Sequence, residues 1–242
     1  MRRKQKNARA SRAITSKGKR KRSETITLAD VKKNPAVAGL VKGANEQLKA
    51  MGYTEHGTRH AGIVAAMAKE IILKITTDER EAELAAIAGY IHDIGNAVNR
   101  RGHGEISGAM AFRILADMGM DIAEVARIIG AVGNHEEQIG TPISGIAAAI
   151  IIADKADVHN SRVQNRNPMT FDIHDRVNYA VTDTDFAVIP EEKEIRLSIK
   201  TDERLAGIME YFEIFLDRML IARRAADYFG YKFKLRINGM KM

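Results

Sequence analysis

The sequence contains no cysteine and no tryptophan in its 242 residues. Without cysteine the chain can form no disulfide, no thiolate zinc site and no cysteine nucleophile. Long apolar runs are also missing, because the longest, residues 145–153, has only about half of the roughly 18 residues that a membrane span needs. The first residues hold no apolar segment of the signal-peptide kind, so a cytoplasmic protein is predicted. Any bound metal ion must be held by His, Asp, Glu or water.

Acidic residues are absent from the first 22 positions, which hold eleven Lys and Arg. The whole chain has a formal net charge of +7, so the part after residue 22 carries −4. Like charges at this density repel one another, and residues 1–25 are predicted to be a disordered basic tail. Such a tail suits binding to nucleic acid or an anionic surface. It is equally consistent with a solubilising extension that has no dedicated partner.

Hydrophobic spacing predicts helices over most of residues 26–180. The segment 28–51 is predicted to form one or two short helices with a break at Pro35. The segment 143–157 is so apolar that its helix should be central and buried. The other predicted helices are one that begins near His60 and those at 80–93, 105–118 and 122–134.

Residues 181–242 show a different pattern. Apolar and polar residues alternate in 195–200 and 232–237, and 186–189 is a third candidate strand. A long helix is predicted over 203–228, between the last two strands. The fold class is therefore mainly α, a helical bundle with an appended small α+β C-terminal unit made of a short antiparallel sheet plus one long helix. This unit would shape a substrate pocket, mediate homodimer formation or simply close the bundle.

Four histidines and two aspartates are candidates for a shared site. They are His60, His92, Asp93, His103, His135 and Asp154. Asp154 shares a helix face with Ile143, Ala147 and Ile150, so its carboxylate is predicted to be buried. A buried ionised carboxylate is costly unless it is paired or metal-bound. Because Lys155 points about 100° away on the helix, a cation from elsewhere is expected at Asp154, and a metal ion fits best.

Each of these residues alone has an ordinary structural explanation. A single histidine on an apolar face is usually a hydrogen-bonded core residue. A single buried aspartate is often an ion-pair or capping partner. The joint pattern, four histidines and two aspartates on successive helices of one bundle, favours a common site over separate packing accidents.

The order of these residues carries a resemblance to a known family. His60, then His92-Asp93-Ile94-Gly95, then Asp154 resemble the H…HD…D signature of the HD superfamily of metal-dependent phosphohydrolases. The resemblance covers residues 50–165 and includes the apolar segment that follows His60. The dipeptide by itself is unspecific, since His174-Asp175 repeats it without a preceding apolar helix. The resemblance implies an HD-type helical metal-binding domain over residues 26–180, with the α+β unit packed on it.

His103 and His135 make the chain similar to the two-metal members, such as HD-type dinucleoside polyphosphate hydrolases and cyclic-dinucleotide phosphodiesterases. The implied ligands are His60, His92, Asp93 and Asp154 for one divalent ion, and Asp93, His103 and His135 for a second. Nitrogen and oxygen ligands suit iron, manganese, cobalt, nickel or zinc better than magnesium. Many two-metal members have Lys after His-Asp-Ile-Gly, where this chain has Asn96. That difference argues against the cyclic-dinucleotide reaction.

The resemblance implies a hydrolase in which a metal-activated hydroxide cleaves a phosphate ester of a nucleotide or dinucleotide. Catalytic roles are expected for Asp93, Lys155 and Arg162. Lys155 and Arg162 follow Asp154, the last implied ligand, and their cationic side chains are suited to contact phosphate. Ordinary surface charge explains Lys155 and Arg162 nearly as well.

Two other functions stay open. One is a catalytically silent nucleotide-sensing or RNA-binding module that uses the basic tail, and the other is a di-iron oxygenase, since a fold does not fix a reaction. Some residues near the signature also have open roles. His56 is a candidate alternative ligand, Asp157 and His159 are candidates for orienting ligands, and His174 has no assigned role.

Overall fold

The computed structural model describes residues 25–242, and the basic tail predicted for residues 1–25 lies outside them except for Thr25. The helices of the bundle are α1 Leu28–Lys33, α2 Pro35–Ala50, α3 Thr58–Thr76, α4 Glu79–Ile91, α5 His103–Asp117, α6 Ile122–Gly133, α7 Gly145–Ala156 and α8 Ile173–Ala180. The C-terminal unit contains β1 Val181–Ile189, β2 Glu194–Thr201, α9 Ile208–Tyr228, β3 Lys232–Ile237 and β4 Met240–Lys241. Within residues 25–242, no helix is both long and apolar enough to cross a membrane.

Capping residues start the first two helices. Thr27 and Asp30 form a capping box at α1, in which each side chain bonds the backbone of the other. Asn34 ends α1 and caps α2, and Pro35 occupies the first turn of α2. These adjacent signals divide the segment 28–51 into two helices.

Helix α7 lies in the centre of the bundle, as its composition predicts. Eleven of its twelve residues are buried, and it packs against α3, α4, α6 and α9. Helices α3 and α4 form an antiparallel pair beside it and approach closely at Gly89, where a Cβ atom would lie 3.1 Å from backbone atoms of Ala65. The pairing places the start of α3 next to the end of α4, which is where His60 and His92 lie.

The sheet has the order β1-β2-β3-β4, and its pairing partly differs from the predicted antiparallel sheet. Strands β1 and β2 pair antiparallel, as do β3 and β4, but β2 and β3 pair parallel with Leu197 opposite Leu235. The reason is the connection: α9 carries the chain back along the sheet before β3 begins, and such a crossover produces parallel strands. Helix α8 and strand β4 were not predicted, and α9 begins at Ile208 instead of 203.

Helix α9 connects the sheet to the bundle. Its residues Tyr211, Phe215 and Met219 pack with sheet residues in one apolar cluster, while Ile221 and Ala225 belong to the core cluster of the bundle. Apolar side chains of the C-terminal unit thus enter both cores, and the domain division at residues 180 and 181 stays a prediction. The packing also brings α9 against α7, the helix that carries Asp154.

Candidate metal centre

The bundle brings the six predicted ligands to one place. His60 lies in the first turn of α3, and His92 and Asp93 follow α4. His103 begins α5, and His135 follows the end of α6. Asp154 lies in the last turn of α7, and all six residues are buried, with at most 7% of any residue exposed.

His60, His92 and Asp154 form a first group of converging atoms. Nε2 of His60 lies 3.3 Å from Oδ1 of Asp154, and Nε2 of His92 lies 3.8 Å from the same oxygen. Within residues 25–242 neither Nε2 atom has a hydrogen-bond partner, although both side chains are fully buried. Unpartnered buried polar atoms are costly, and a bound cation would satisfy both.

His103 and His135 form a second pair, and Asp93 stands between it and the first group. Nε2 of His103 lies 3.1 Å from Nε2 of His135 and 3.1 Å from Oδ1 of Asp93. The other oxygen of Asp93, Oδ2, lies 3.3 Å from Nε2 of His92 and 3.7 Å from Nε2 of His60. The two oxygens of one carboxylate therefore face two different histidine pairs.

The second ring nitrogen of each histidine faces an acceptor. The contacts are Nδ1 of His60 with Oδ2 of Asp157 at 2.6 Å, His92 with the carbonyl of Gly89 at 2.8 Å, His103 with the carbonyl of Arg100 at 3.0 Å, and His135 with the carbonyl of Val132 at 2.6 Å. Carbonyl and carboxylate oxygens only accept, so each Nδ1 carries a hydrogen, and Nε2 is the nitrogen that faces the centre of the site. This is the arrangement that metal-ligating histidines have.

Comparison with protein families gives a match for this part of the chain. Residues 57–160, which contain all six converging residues, match the family model of the HD domain. This segment is an HD domain. The resemblance to the HD superfamily is thereby confirmed, and HD domains are typically those of metal-dependent phosphohydrolases. No curated protein matches the chain.

The carboxylates of Asp93 and Asp154 are ionised in spite of their burial. Burial opposes the charge of Asp93, but the imidazole of His92 and a hydrogen bond from His103 hold its pKa well below the usual range. Burial likewise opposes the charge of Asp154, whose pKa is held well below the usual range by Lys155 and the nearby imidazoles. Burial disfavours a charged His92, yet these two carboxylates raise its pKa to about 10. The site therefore attracts a cation, either a proton or a metal ion.

The donor set fits a divalent transition metal. Imidazole nitrogens and carboxylate oxygens bind such ions at about 2.0–2.2 Å, so neighbouring ligand atoms lie about 3–3.5 Å apart. The closest nitrogen–oxygen separations within the site, 3.1 Å at His103 and 3.3 Å at His60 and His92, fall in this range.

Asp157 lies behind His60 and orients it, as predicted. Its carboxylate contacts Nδ1 of His60 and accepts hydrogen bonds from Nη1 and Nη2 of Arg59 at 3.2 and 3.0 Å. Its Oδ2 also lies 3.6 Å from Nε of Arg162. Burial opposes the charge of Asp157, but Arg162 and the other partners lower its pKa well below the usual range. An ionised Asp157 keeps the hydrogen of His60 on Nδ1.

The structure separates the two predicted phosphate contacts. Lys155 lines the cavity in front of the cluster, and its Nζ pairs with Asp154 and lies 3.3 Å from Oε1 of Glu137. The prediction that Lys155 points away from Asp154 is wrong, because the flexible four-carbon stem lets the ammonium group fold back. Asp154 thus has a protein cation beside it without any metal.

Arg162 lies behind the cluster, and the prediction that it contacts phosphate is wrong. It is 1% exposed and donates hydrogen bonds to the carbonyl of Asp157 at 2.8 Å and to the carbonyl of Glu55 at 3.0 and 3.2 Å. The 3-10 turn Asn160–Arg162 after α7 directs the side chain inward. Its guanidinium therefore holds two chain segments together.

The three remaining histidines do not join the cluster. His56 is buried, donates from Nδ1 to the carbonyl of Thr54 at 2.7 Å, and accepts from Arg162 at Nε2, so it has no free lone pair for a metal. His159 caps a short turn by accepting from the backbone N–H of Ser161. His174 is exposed at the edge of the cavity.

The cavity in front of the HD cluster has a volume of about 810 Å³ and holds cations that sequence reasoning missed. Arg100 and Arg101 lie on the loop before α5, and Arg218 comes from α9. The spacing of α9 carries a signal for Arg218, because Tyr211, Phe215 and Ala222 lie on the same helix face and are buried. An arginine on such a face marks a buried polar partner.

Gly95 lets the turn after His92-Asp93 approach α5. A Cβ atom at this position would overlap the carbonyl oxygen of His103 and lie 2.7 Å from the backbone nitrogen of Ser107. We expect Gly95→Ala to lower the free energy of unfolding by about 1–3 kcal/mol and to weaken metal retention by displacing His103. Denaturant unfolding and metal analysis measure both effects.

Gly62→Ala is the matched control for this substitution. Gly62 lies within α3 and has nothing within 4 Å of an added Cβ atom. Alanine there should be neutral or stabilising by up to about 1 kcal/mol. Equal stability of the two variants would show that the close approach at Gly95 is unimportant.

Proposed function

We propose that this protein is a metal-dependent phosphohydrolase that cleaves a phosphate ester of a nucleotide. The observation that carries the proposal is the position of Asp93, whose two oxygens face two different pairs of histidine Nε2 atoms. A carboxylate in that position is suited to bridge two divalent ions. This supports two ions, with His60, His92 and Asp154 completing one ligand set and His103 and His135 the other.

The chemistry follows from this donor set. A divalent pair held by these residues would supply an activated water and a Lewis-acid contact to a phosphoryl oxygen. Asp93 and Asp154 stay ionised, and Asp157 keeps the hydrogen of His60 on Nδ1. Lys155 lines the cavity beside Asp154 and is placed to neutralise negative charge on the phosphate or its leaving group. Arg100, whose Nη1 lies 3.4 Å from Nε2 of His103, is placed to contact phosphate in the role predicted for Arg162.

The cavity supports a substrate of nucleotide size. Its volume of about 810 Å³ lies in the usual range for small-molecule sites. Tyr53 and Met51 are both partly exposed on its wall and offer an apolar surface for a base. The guanidinium of Arg100 lies 5.5 Å from the centre of the Tyr53 ring, so cationic and aromatic groups lie side by side.

The first experiment is metal analysis of protein purified anaerobically without chelator, followed by a screen of phosphate monoesters and diesters. We expect about two equivalents of transition metal and turnover that chelator removes and metal restores. About one equivalent would contradict the two-ion site and leave a mononuclear nucleotidase. Absence of metal even after reconstitution would contradict the hydrolase and favour the silent sensing module. Oxygen consumption with an organic co-substrate would favour the oxygenase.

A further inference from the structure

Arg218 reaches the metal centre from outside the HD domain. It lies on α9, beyond the matched residues 57–160, and its side chain is 13% exposed. Its Nη2 lies 3.8 Å from Oδ1 of Asp154, the oxygen that faces His60 and His92. The guanidinium therefore lies at the edge of one proposed ligand group and also lines the cavity.

Most of the donors of this guanidinium are unused. Among residues 25–242, its one hydrogen bond runs from Nη2 to the carbonyl oxygen of Asp154 at 3.3 Å. Nε is buried and lies 3.1 Å from Oε1 of Glu137, but the two are not aligned for a hydrogen bond. A guanidinium offers five N–H donors in a flat fork that matches phosphate oxygens. Arg218 thus presents free donors at the cavity wall.

Phe215 fixes the orientation of the fork. The guanidinium carbon of Arg218 lies 5.2 Å from the centre of the Phe215 ring, one helical turn earlier on α9. That ring is 3% exposed and packs edge-on against Tyr211 at 5.0 Å. A guanidinium held on a buried ring loses little freedom when it binds an anion.

The balance of charge leaves room for an anion. Two carboxylates, Asp154 and Glu137, face two cations, Lys155 and Arg218. Once Asp154 binds a divalent ion, its negative charge is offset by that ion. Of these two carboxylates, Glu137 alone then balances the charges of Lys155 and Arg218. With a divalent ion bound, the group formed by Asp154, Glu137, Lys155 and Arg218 carries a net positive charge.

We infer that Arg218 is a phosphate-contacting residue, supplied to the HD domain by the C-terminal unit. The inference rests on the proposed function for the nature of its ligand, a phosphate group held beside the ion of His60, His92 and Asp154. It assigns a function to the C-terminal unit, which completes the substrate site as well as covering the bundle. Glu137 is the nearest carboxylate to this guanidinium, with Oε1 3.1 Å from Nε of Arg218.

The test measures binding of inorganic phosphate to the metal-loaded full-length protein by calorimetry, together with metal content. Arg218→Met is expected to weaken phosphate binding by about 10- to 100-fold, because a charged hydrogen-bonded contact is lost, with metal content unchanged. Arg218→Lys should give a smaller loss, since lysine keeps the charge without the fork. Arg223→Met, an exposed arginine on the same helix, is the matched control and should bind as the wild type does. Glu137→Gln should tighten phosphate binding by removing a competing anion.

Several results would overturn the inference. Unchanged phosphate affinity in Arg218→Met with full metal would do so, as would absence of phosphate binding to the metal-loaded wild type. If Arg218→Met loses metal or does not fold, Arg218→Lys decides: wild-type metal and phosphate binding would show that Arg218 only supports Asp154. Failure of the proposed function would give a different result. If the wild type binds phosphate but hydrolyses no ester, and Arg218→Met loses that binding, the phosphate contact stands and the hydrolase reaction is contradicted.

Discussion

Replacing Asp93 by alanine is expected to abolish metal binding and turnover together. Asp93 places one oxygen 3.1 Å from Nε2 of His103 and the other 3.3 Å from Nε2 of His92, so its loss removes a carboxylate oxygen from both groups. Without Asp93, the first group keeps Asp154 as a carboxylate, but the second group is left with the imidazoles of His103 and His135. Metal activation of water is worth several kcal/mol, so the rate should fall by about 1,000-fold or more. Metal analysis and turnover of the best ester from the screen measure the two effects.

The second His-Asp dipeptide provides the matched control. Asp175 is also buried, but its carboxylate accepts from Asn165 and it follows His174, which is exposed. Asp175→Asn should keep metal content and turnover near those of the wild type. Retained activity in Asp93→Ala, with a folded protein by circular dichroism, would contradict the site assignment.

Replacing Asp157 by alanine is expected to destabilise the whole protein strongly. Its carboxylate is 4% exposed and faces Arg59, Arg162 and Nδ1 of His60. Removing it leaves buried Arg162 without its carboxylate partner, and breaking a buried ion pair in this way costs about 3–5 kcal/mol. His60 also loses the acceptor that fixes its hydrogen, so metal affinity should fall by about 10- to 100-fold.

Denaturant unfolding of metal-free protein separates the two effects of Asp157. The stability loss should appear without metal, and the loss of affinity should appear in metal titrations of protein that is still folded. Asp157→Asn, which keeps an acceptor oxygen but not the charge, should lie between wild type and alanine. Wild-type stability of Asp157→Ala in the metal-free state would contradict the buried ion-pair account.

Asn96 occupies the position at which many two-metal members of the superfamily have lysine, and in the structure its side chain bonds Asp93. Its side-chain amide donates to Oδ1 of Asp93 at 2.8 Å and to the carbonyl of Asp93 at 3.1 Å. Residue 96 therefore positions Asp93 and offers no positive charge. The cations of this cavity come from other positions, namely Arg100, Arg101, Lys155 and Arg218.

Sequence alone predicted most of the helices, though not α8, and it predicted the six converging residues. The ligands lie at or near helix ends, and helix ends are marked locally by apolar periodicity and by caps such as Asn34 and Asp121. Asp154 was predicted to be buried because its helix face was apolar, and it is 5% exposed. The order of His60, His92-Asp93 and Asp154 along the chain was enough to show the HD resemblance. Each of these residues lies at or near the end of a helix that local sequence periodicity already predicts.

Only the tertiary structure decided which cations face the cavity. Arg162 and Lys155 follow Asp154 closely in the sequence, yet the turn after α7 sends Arg162 inward while Lys155 folds back to Asp154. Arg218 lies 64 residues after Asp154 and reaches it through the packing of α9 on α7. The parallel pairing of β2 and β3 was likewise set by the path of α9. Side-chain direction beyond a helix end and contacts between distant segments depend on packing, and local periodicity carries no information about either.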